Sequence, residues 1–330
     1  MKDRIEYIDL AKGICILLVV LDHISGSGYF LDGNYPLNDI FEQTRMPLYF
    51  ILSGLFFKDY AGGIREFLLR KFNRILVPYL FFLGLYVALV KAVYLLTGYI
   101  LGEIWAPLWF LLCLFWMNVI FATVYYAVRQ VCSNELVSEI LLGIIMLGIG
   151  IGGYYVGCLP LCLGSAMASM PFLWMGYLLN RKLQFFGLKI GNGWALLTGI
   201  VLFVALHYLY VGENLFYINS YGTPLPLIYL SGLLGTLAVL LLSRVIKRLP
   251  VISYIGRYSI IVLCTHMAIV RCIMAAASAL PTCGNDAFWS SNLVQSFCIL
   301  ALTIACSVFC CWFLSRYLPW FTAQKDLVRL

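Results

Sequence analysis

YIDLAKGICILLVVLDHISGSG, residues 7–28, reads as an apolar helix, yet it keeps Asp9, Lys12, Asp22 and His23. Lys12 and His23 are eleven positions apart. At 100° per residue that is about 20° from three full turns, so both point to one face, about 16 Å apart along the axis. Asp9 precedes Lys12 by one turn and can pair with it, whereas Asp22 is rotated about 100° from His23. Ionisable groups within a membrane span are costly and face the bundle interior or a water-filled cavity. Singly, Lys12 also reads as a snorkelling flank residue and His23 as a helix–helix hydrogen-bonding group. Their common register favours a functional stripe, with a cation at its mouth and an imidazole deep inside.

The rest of the chain has the same character. Of 330 residues, 63% are hydrophobic and 11% charged, with mean hydropathy +0.93; a soluble domain carries about 25% charged residues. The apolar residues fall in blocks of about 20, the length that crosses a hydrocarbon core. This predicts an all-α, polytopic transmembrane helix bundle forming a single domain over residues 1–330. About ten spans are expected, near residues 11–26, 40–57, 76–97, 107–128, 136–156, 159–179, 193–211, 225–243, 252–276 and 292–315. With a cytoplasmic N-terminus, the inner side collects every Lys and Arg except Arg45, Lys91, Arg257 and Arg271, satisfying the positive-inside rule. Both termini are therefore expected in the cytoplasm. The net charge of +7 needs no nucleic acid to explain it. The mixed charge of the first residues and the lack of a small-residue cleavage site argue against a removed leader. Twelve cysteines show no CxxC framework and read as packing residues; Cys158, Cys162 and Cys283 carry no specific signal. No metal is expected. The outer connections 26–40 and 277–291 are candidates for a substrate mouth.

Other polar positions extend the pattern. FEQTRMPLYFILSGLFF (41–57) sets Arg45 at the outer start of the second span, ahead of Pro47 and Ser53-Gly54. REFLLRKFNRILVPYL (65–80) gathers Arg70, Lys71 and Arg74, which share a face if helical. Guanidinium groups fork onto phosphate and Lys adds a point charge, so this is a candidate anion site; an interfacial helix on anionic lipid fits as well. PLWFLLCLFW (107–116) puts Trp109 at an outer entrance, where an aromatic-belt role competes. YIGRYSIIVLCTHMAIVR (254–271) offers Tyr254, Arg257, Tyr258, Thr265 and His266. His207 is expected to serve packing.

Several of these stretches together resemble one family, the bacterial acyltransferase 3 family of integral-membrane acyltransferases. Lys12-x10-His23 is similar to its R/K-x10-H signature, Arg45-Met46-Pro47 with Ser53-Gly54 to its second-helix motif, and Arg74-Ile75-Leu76-Val77-Pro78-Tyr79 to its first cytoplasmic loop. Pro107-Leu108-Trp109-Phe110-Leu111 and Gly256-Arg257-Tyr258-Ser259 with Thr265-His266 resemble later motifs, especially of the fucose 4-O-acetylase-like branch. Lys12 in place of the commoner Arg, and Asp22 where a small or polar residue is usual, depart from the pattern.

The resemblance implies a multi-pass protein of the bacterial cytoplasmic membrane that transfers an acyl group, acetyl above all, from cytoplasmic acyl-coenzyme A to a hydroxyl of a cell-surface polysaccharide or its lipid-linked precursor. Acyl-coenzyme A is then a donor substrate rather than a resident cofactor, and the bilayer and a saccharide acceptor are the other partners; a homodimer is left open. The residues fit this with His23 as base, Asp22 or another nearby carboxylate orienting the ring or supporting the imidazolium, and Tyr254, Tyr258 or Arg45 stabilising the developing oxyanion, with Tyr254 taken as the catalytic one. Lys12, Arg70, Lys71 and Arg74 are expected to hold the donor, and Arg45, Trp109, Arg257, Tyr258 and His266 the acceptor side. Direct transfer and an acyl-histidine route both remain open. A proton-coupled transporter or flippase is the rival reading, built on the Asp22–His23 pair, a buried Lys91 and Gly-broken helices; the lack of repeat symmetry counts against it.

Overall fold

The computed structural model describes residues 5–24, 38–98, 106–181, 185, 189–279 and 292–328. Cys283 and most of the two outer connections lie outside them. The described chain is almost wholly helical, with helices α1 (Glu6–Ile24), α2 (Asn38–Leu55), α3 (Gly63–Lys71) and α4 (Val77–Thr97). There follow α5 (Trp109–Val131), α6 (Glu135–Val156), α7 (Leu163–Ala168), α8 (Met170–Arg181) and α9 (Asn192–His207). After a two-stranded hairpin, β1 (Asn214–Leu215) and β2 (Ser220–Tyr221), come α10 (Leu225–Ile246), α11 (Pro250–Arg257), α12 (Ser259–Ala279) and α13 (Asn292–Tyr317).

A helix stands at each stretch where a span was expected, but the helices are not equal. Among the described residues six helical stretches are long and apolar enough to cross a membrane, or seven if Pro160–Ala168 and Met170–Arg181, bent by 50°, form one span. α1 and α2 fall short because of their charges: α1 carries Asp9, Lys12 and Asp22, and α2 carries Asp39, Glu42 and Arg45. α9 is a shorter apolar helix.

Two stretches expected as continuous spans are broken. Residues 252–276 divide at Tyr258, the cap between α11 and α12. Residues 159–179 are interrupted at Ser169, and Leu161 and Cys162 take positive φ angles of 57° and 59°. The π-helical turn Phe72–Leu76 joins α3 to α4. A π turn has a wider hydrogen-bond spacing than the α-helix, so Arg70 and Lys71 end α3 while Arg74 lies in the π turn that follows.

The chain divides into two compact units. Unit one comprises Met1–Pro36, Val77–Leu108 and Arg248–Leu327, and so holds α1, α4, α11, α12 and α13. Unit two comprises Leu37–Leu76, Trp109–Lys247 and Val328–Leu330.

Unit one is organised by an interlock of α1 with α11. A methyl group built on Gly13 would collide with the Ile252 carbonyl, and one on Gly256 with the Asp9 carbonyl. The two backbones therefore touch, as small residues permit in membrane bundles. Unit two repeats the device between α2 and α8, where Gly54 meets the Leu173 carbonyl and Gly176 the Ile51 carbonyl. In unit two the hairpin is tied to the end of α6 by Asn219, whose Nδ2 donates to Gly153 O and Gly157 O at 2.7 Å each.

Candidate active site

In unit one, α1 carries Lys12, Asp22 and His23, all half-buried. The helix forms because its apolar residues Leu10, Ile16, Val19 and Val20 are packed into the core, and the glycine contacts hold α11 against it. On α12, His266 is completely buried. Its ring lies 5.2 Å from the ring of His23, centroid to centroid, at an interplanar angle of 34°. The Nδ1 atom of His266 lies 2.9 Å from Val262 O. The neighbouring Thr265 hydroxyl donates to Ile261 O at 2.8 Å, so it is turned onto its own helix.

Tyr254 and Tyr258 form an edge-on pair with centroids 5.0 Å apart. The Arg257 guanidinium lies 5.4 Å from the Tyr258 ring, and the residue is exposed. Arg257 is thus held on an aromatic face at the α11–α12 break. Of the expected site residues in this unit, the structure brings His23 and His266 directly together.

Unit two holds the remainder. Arg45 is buried in α2 at 8% exposure, alongside buried Glu42, Gln43 and Thr44. Glu42 accepts a hydrogen bond from the backbone N–H of Asn214 at the start of the hairpin. Ser53, from the second-helix motif, hydrogen-bonds Asn118 on α5. Trp109 packs against Phe110 and Tyr217.

The basic segment is more elaborate than its sequence suggested. Arg70 Nε and Nη2 both donate to Glu66 Oε1, at 2.9 and 2.7 Å, while its guanidinium covers the Tyr60 ring at 4.7 Å. Lys71 lies over Phe67 at 5.1 Å, and Arg74 is exposed. Within the π turn, Asn73 Nδ2 donates to Val328 O at 2.8 Å, and Val328 N donates to Asn73 Oδ1 at 2.9 Å. Arg70 and Glu66 thus form an i,i+4 ion pair near the surface, of the kind that contributes little to stability.

Sequence reasoning missed a polar cluster on α5, α6 and α8. Glu139 is 7% exposed, and its Oε1 accepts from Arg129 Nη2 at 2.6 Å and from Tyr177 Oη at 2.7 Å. Asp59 accepts from Tyr125 and Tyr126. Glu139 lies near the start of a largely apolar helix, and its buried setting is what distinguishes it.

Two expectations are corrected. His207 was expected to pack, but it is exposed at the end of α9, where the chain leaves the helix. Lys91, which the transport reading needed buried, is exposed on α4.

Comparison with known proteins agrees with the membrane helices. The family described as an acyltransferase domain (Acyl_transf_3) matches residues 5–313, nearly the whole chain. The protein belongs to this acyltransferase family and is a multi-pass membrane acyltransferase. No match was found among curated proteins or solved structures.

Proposed function

We propose that the protein is an O-acyltransferase of the bacterial cytoplasmic membrane. Its donor is cytoplasmic acyl-coenzyme A, acetyl above all, and its acceptor is a hydroxyl of a cell-surface polysaccharide or lipid-linked precursor. In this reading the chain crosses the membrane about ten times with both termini inside, α1 and α2 crossing despite their charges because those groups belong to the site. It belongs with the fucose 4-O-acetylase-like branch, on the strength of the motifs around Trp109 and His266.

The observation that carries this reading is His23, half-buried on a helix that also carries Lys12 in register with it and Asp22 beside it, in a chain of an acyltransferase family. The His23 imidazole takes the proton of the attacking hydroxyl as its oxygen bonds to the thioester carbonyl carbon. Asp22 steadies the ring, and Tyr254 supplies a donor to the developing oxyanion. The tetrahedral intermediate collapses with cleavage of the C–S bond, and the imidazolium returns its proton to the departing thiolate. Arg70, Lys71 and Arg74 bind the donor phosphates, and Lys12 adds a cation to the donor path. Arg45, Trp109, Arg257, Tyr258 and His266 serve the acceptor side.

The test is coenzyme A release from acetyl-coenzyme A by the purified protein in lipid. Release that disappears in His23→Ala, with the variant still folded in the membrane, supports the assignment. A wild type that neither binds nor turns over acyl-coenzyme A favours transport instead.

A further inference from the structure

His266 has an unambiguous tautomer. Its Nδ1 lies 2.9 Å from Val262 O, and a carbonyl oxygen only accepts, so Nδ1 carries the hydrogen and the neutral ring exposes its lone pair at Nε2. That Nε2 is buried and has no hydrogen-bond partner among the described residues. An unsatisfied acceptor inside a membrane bundle is costly, and buried polar atoms left open in this way call for a ligand or a functional reason. The His23 ring stands beside it, 5.2 Å away between centroids. Two imidazoles thus stand side by side in unit one, one half-buried on α1 and one fully buried on α12.

A single reacting hydroxyl has one hydrogen to give, and His23 takes it. A second imidazole whose ring is centred 5.2 Å from that of His23 offers an acceptor for a second hydroxyl on the adjacent carbon, which is what a sugar supplies and a simple alcohol does not. We infer that His266 is a specificity-determining residue: its Nε2 accepts a hydrogen bond from the non-reacting hydroxyl of a vicinal pair while His23 engages the reacting one. This rests on the acyltransferase reading. The Val262 carbonyl holds the ring in the tautomer that accepts, so His266 selects the diol and exchanges no proton.

The experiment compares two probes of similar chain length with the full protein in lipid and acetyl-coenzyme A as donor. Octyl glucoside has vicinal hydroxyls; 2-octyloxyethanol has one. Wild type is expected to prefer the glucoside in kcat/KM by at least about 100-fold, since a site built to bond a hydroxyl rejects an analogue lacking it. His266→Asn, whose shorter amide still reaches Val262 O, is expected to lose that preference, its kcat/KM for the glucoside falling toward that for 2-octyloxyethanol. His266→Gln, whose amide oxygen falls near the former Nε2, is expected to keep part of it. A purely structural role predicts the opposite order, with Asn the milder change, and that order overturns the inference. So does a wild type showing no preference between the probes, including reaction with neither. Nitrogen-15 NMR of histidine-labelled protein gives a readout independent of turnover: His266 protonated on Nε2 overturns it. Absence of any coenzyme A release defeats the acyltransferase reading itself, and the two failures are thereby told apart.

Discussion

The rings of His23 and His266 lie 5.2 Å apart and tilted by 34°, although α1 and α12 stand near opposite ends of the sequence. Residues serving one reacting centre are not additive when either is removed. His23→Ala and His266→Ala are each expected to lower turnover with the natural acceptor, and the double variant to fall no further than His23→Ala alone. Losses that multiply across the two sites would show that the rings act independently.

The interlock of α1 with α11 has little room for error. Gly256→Ala or Gly13→Ala forces a methyl group into a backbone carbonyl, and overpacking of this kind costs about 1–3 kcal/mol. The expected result is lower thermal stability and a larger loss of kcat, because α1 carries Lys12 and His23. Gly84→Ala on α4, where an added methyl meets open space, is the control and should leave both unchanged.

The basic segment is expected to act on donor affinity. Replacing Arg70, Lys71 and Arg74 together by Ala should raise the KM for acetyl-coenzyme A by at least about tenfold, the effect of losing charge-assisted bonds to phosphate, with kcat little changed. Glu66→Gln removes the competitor for Arg70 and should lower that KM. If neither substitution moves KM, the segment serves lipid anchoring alone.

Lys12 tests whether charge alone matters on the face it shares with His23. Lys12→Arg keeps the cation at similar reach and is expected to retain most activity, whereas Lys12→Ala is expected to lose it. Equal activity in the two variants would remove Lys12 from the site.

The Glu139 cluster is a stability feature first. Glu139→Ala strands the Arg129 guanidinium, and breaking such a pair costs about 3 kcal/mol, the low end of the range because Arg129 remains 28% exposed. Thermal unfolding in detergent should register that loss, with Glu139→Gln milder because its amide oxygen still accepts from Tyr177 and Arg129.

How much of this was legible in the sequence depended on what each feature needs. Helix positions follow from apolar blocks, which any membrane helix must have, so α4, α5, α6 and α10 stand where the blocks lie. The breaks at Tyr258 and Ser169 carry local marks, Gly256-Arg257 with Ser259 at one and Pro171 at the other, but a reading by apolar blocks about 20 residues long passes over marks so short. His23 could be singled out because Lys12 lies in register on the same helix. That His266 sits against it could not be read, since nothing local at Thr265-His266 reveals its packing partner. Glu66 is one turn from Arg70 and was readable as its partner, yet the run of basic residues drew attention away from the single carboxylate. The glycine interlocks were invisible, because a glycine in an apolar run looks the same whether it touches lipid or a carbonyl.

The paired hydrogen bonds between Asn73 and Val328 carry a consequence for biogenesis. Val328 is 255 residues downstream of Asn73, so the bonds that anchor the turn holding Arg74 cannot form during synthesis until every helix from α4 to α13 has emerged. Inserted halves of the chain therefore have an unfinished basic turn, and the reach to Val328 makes its completion a late step in maturation.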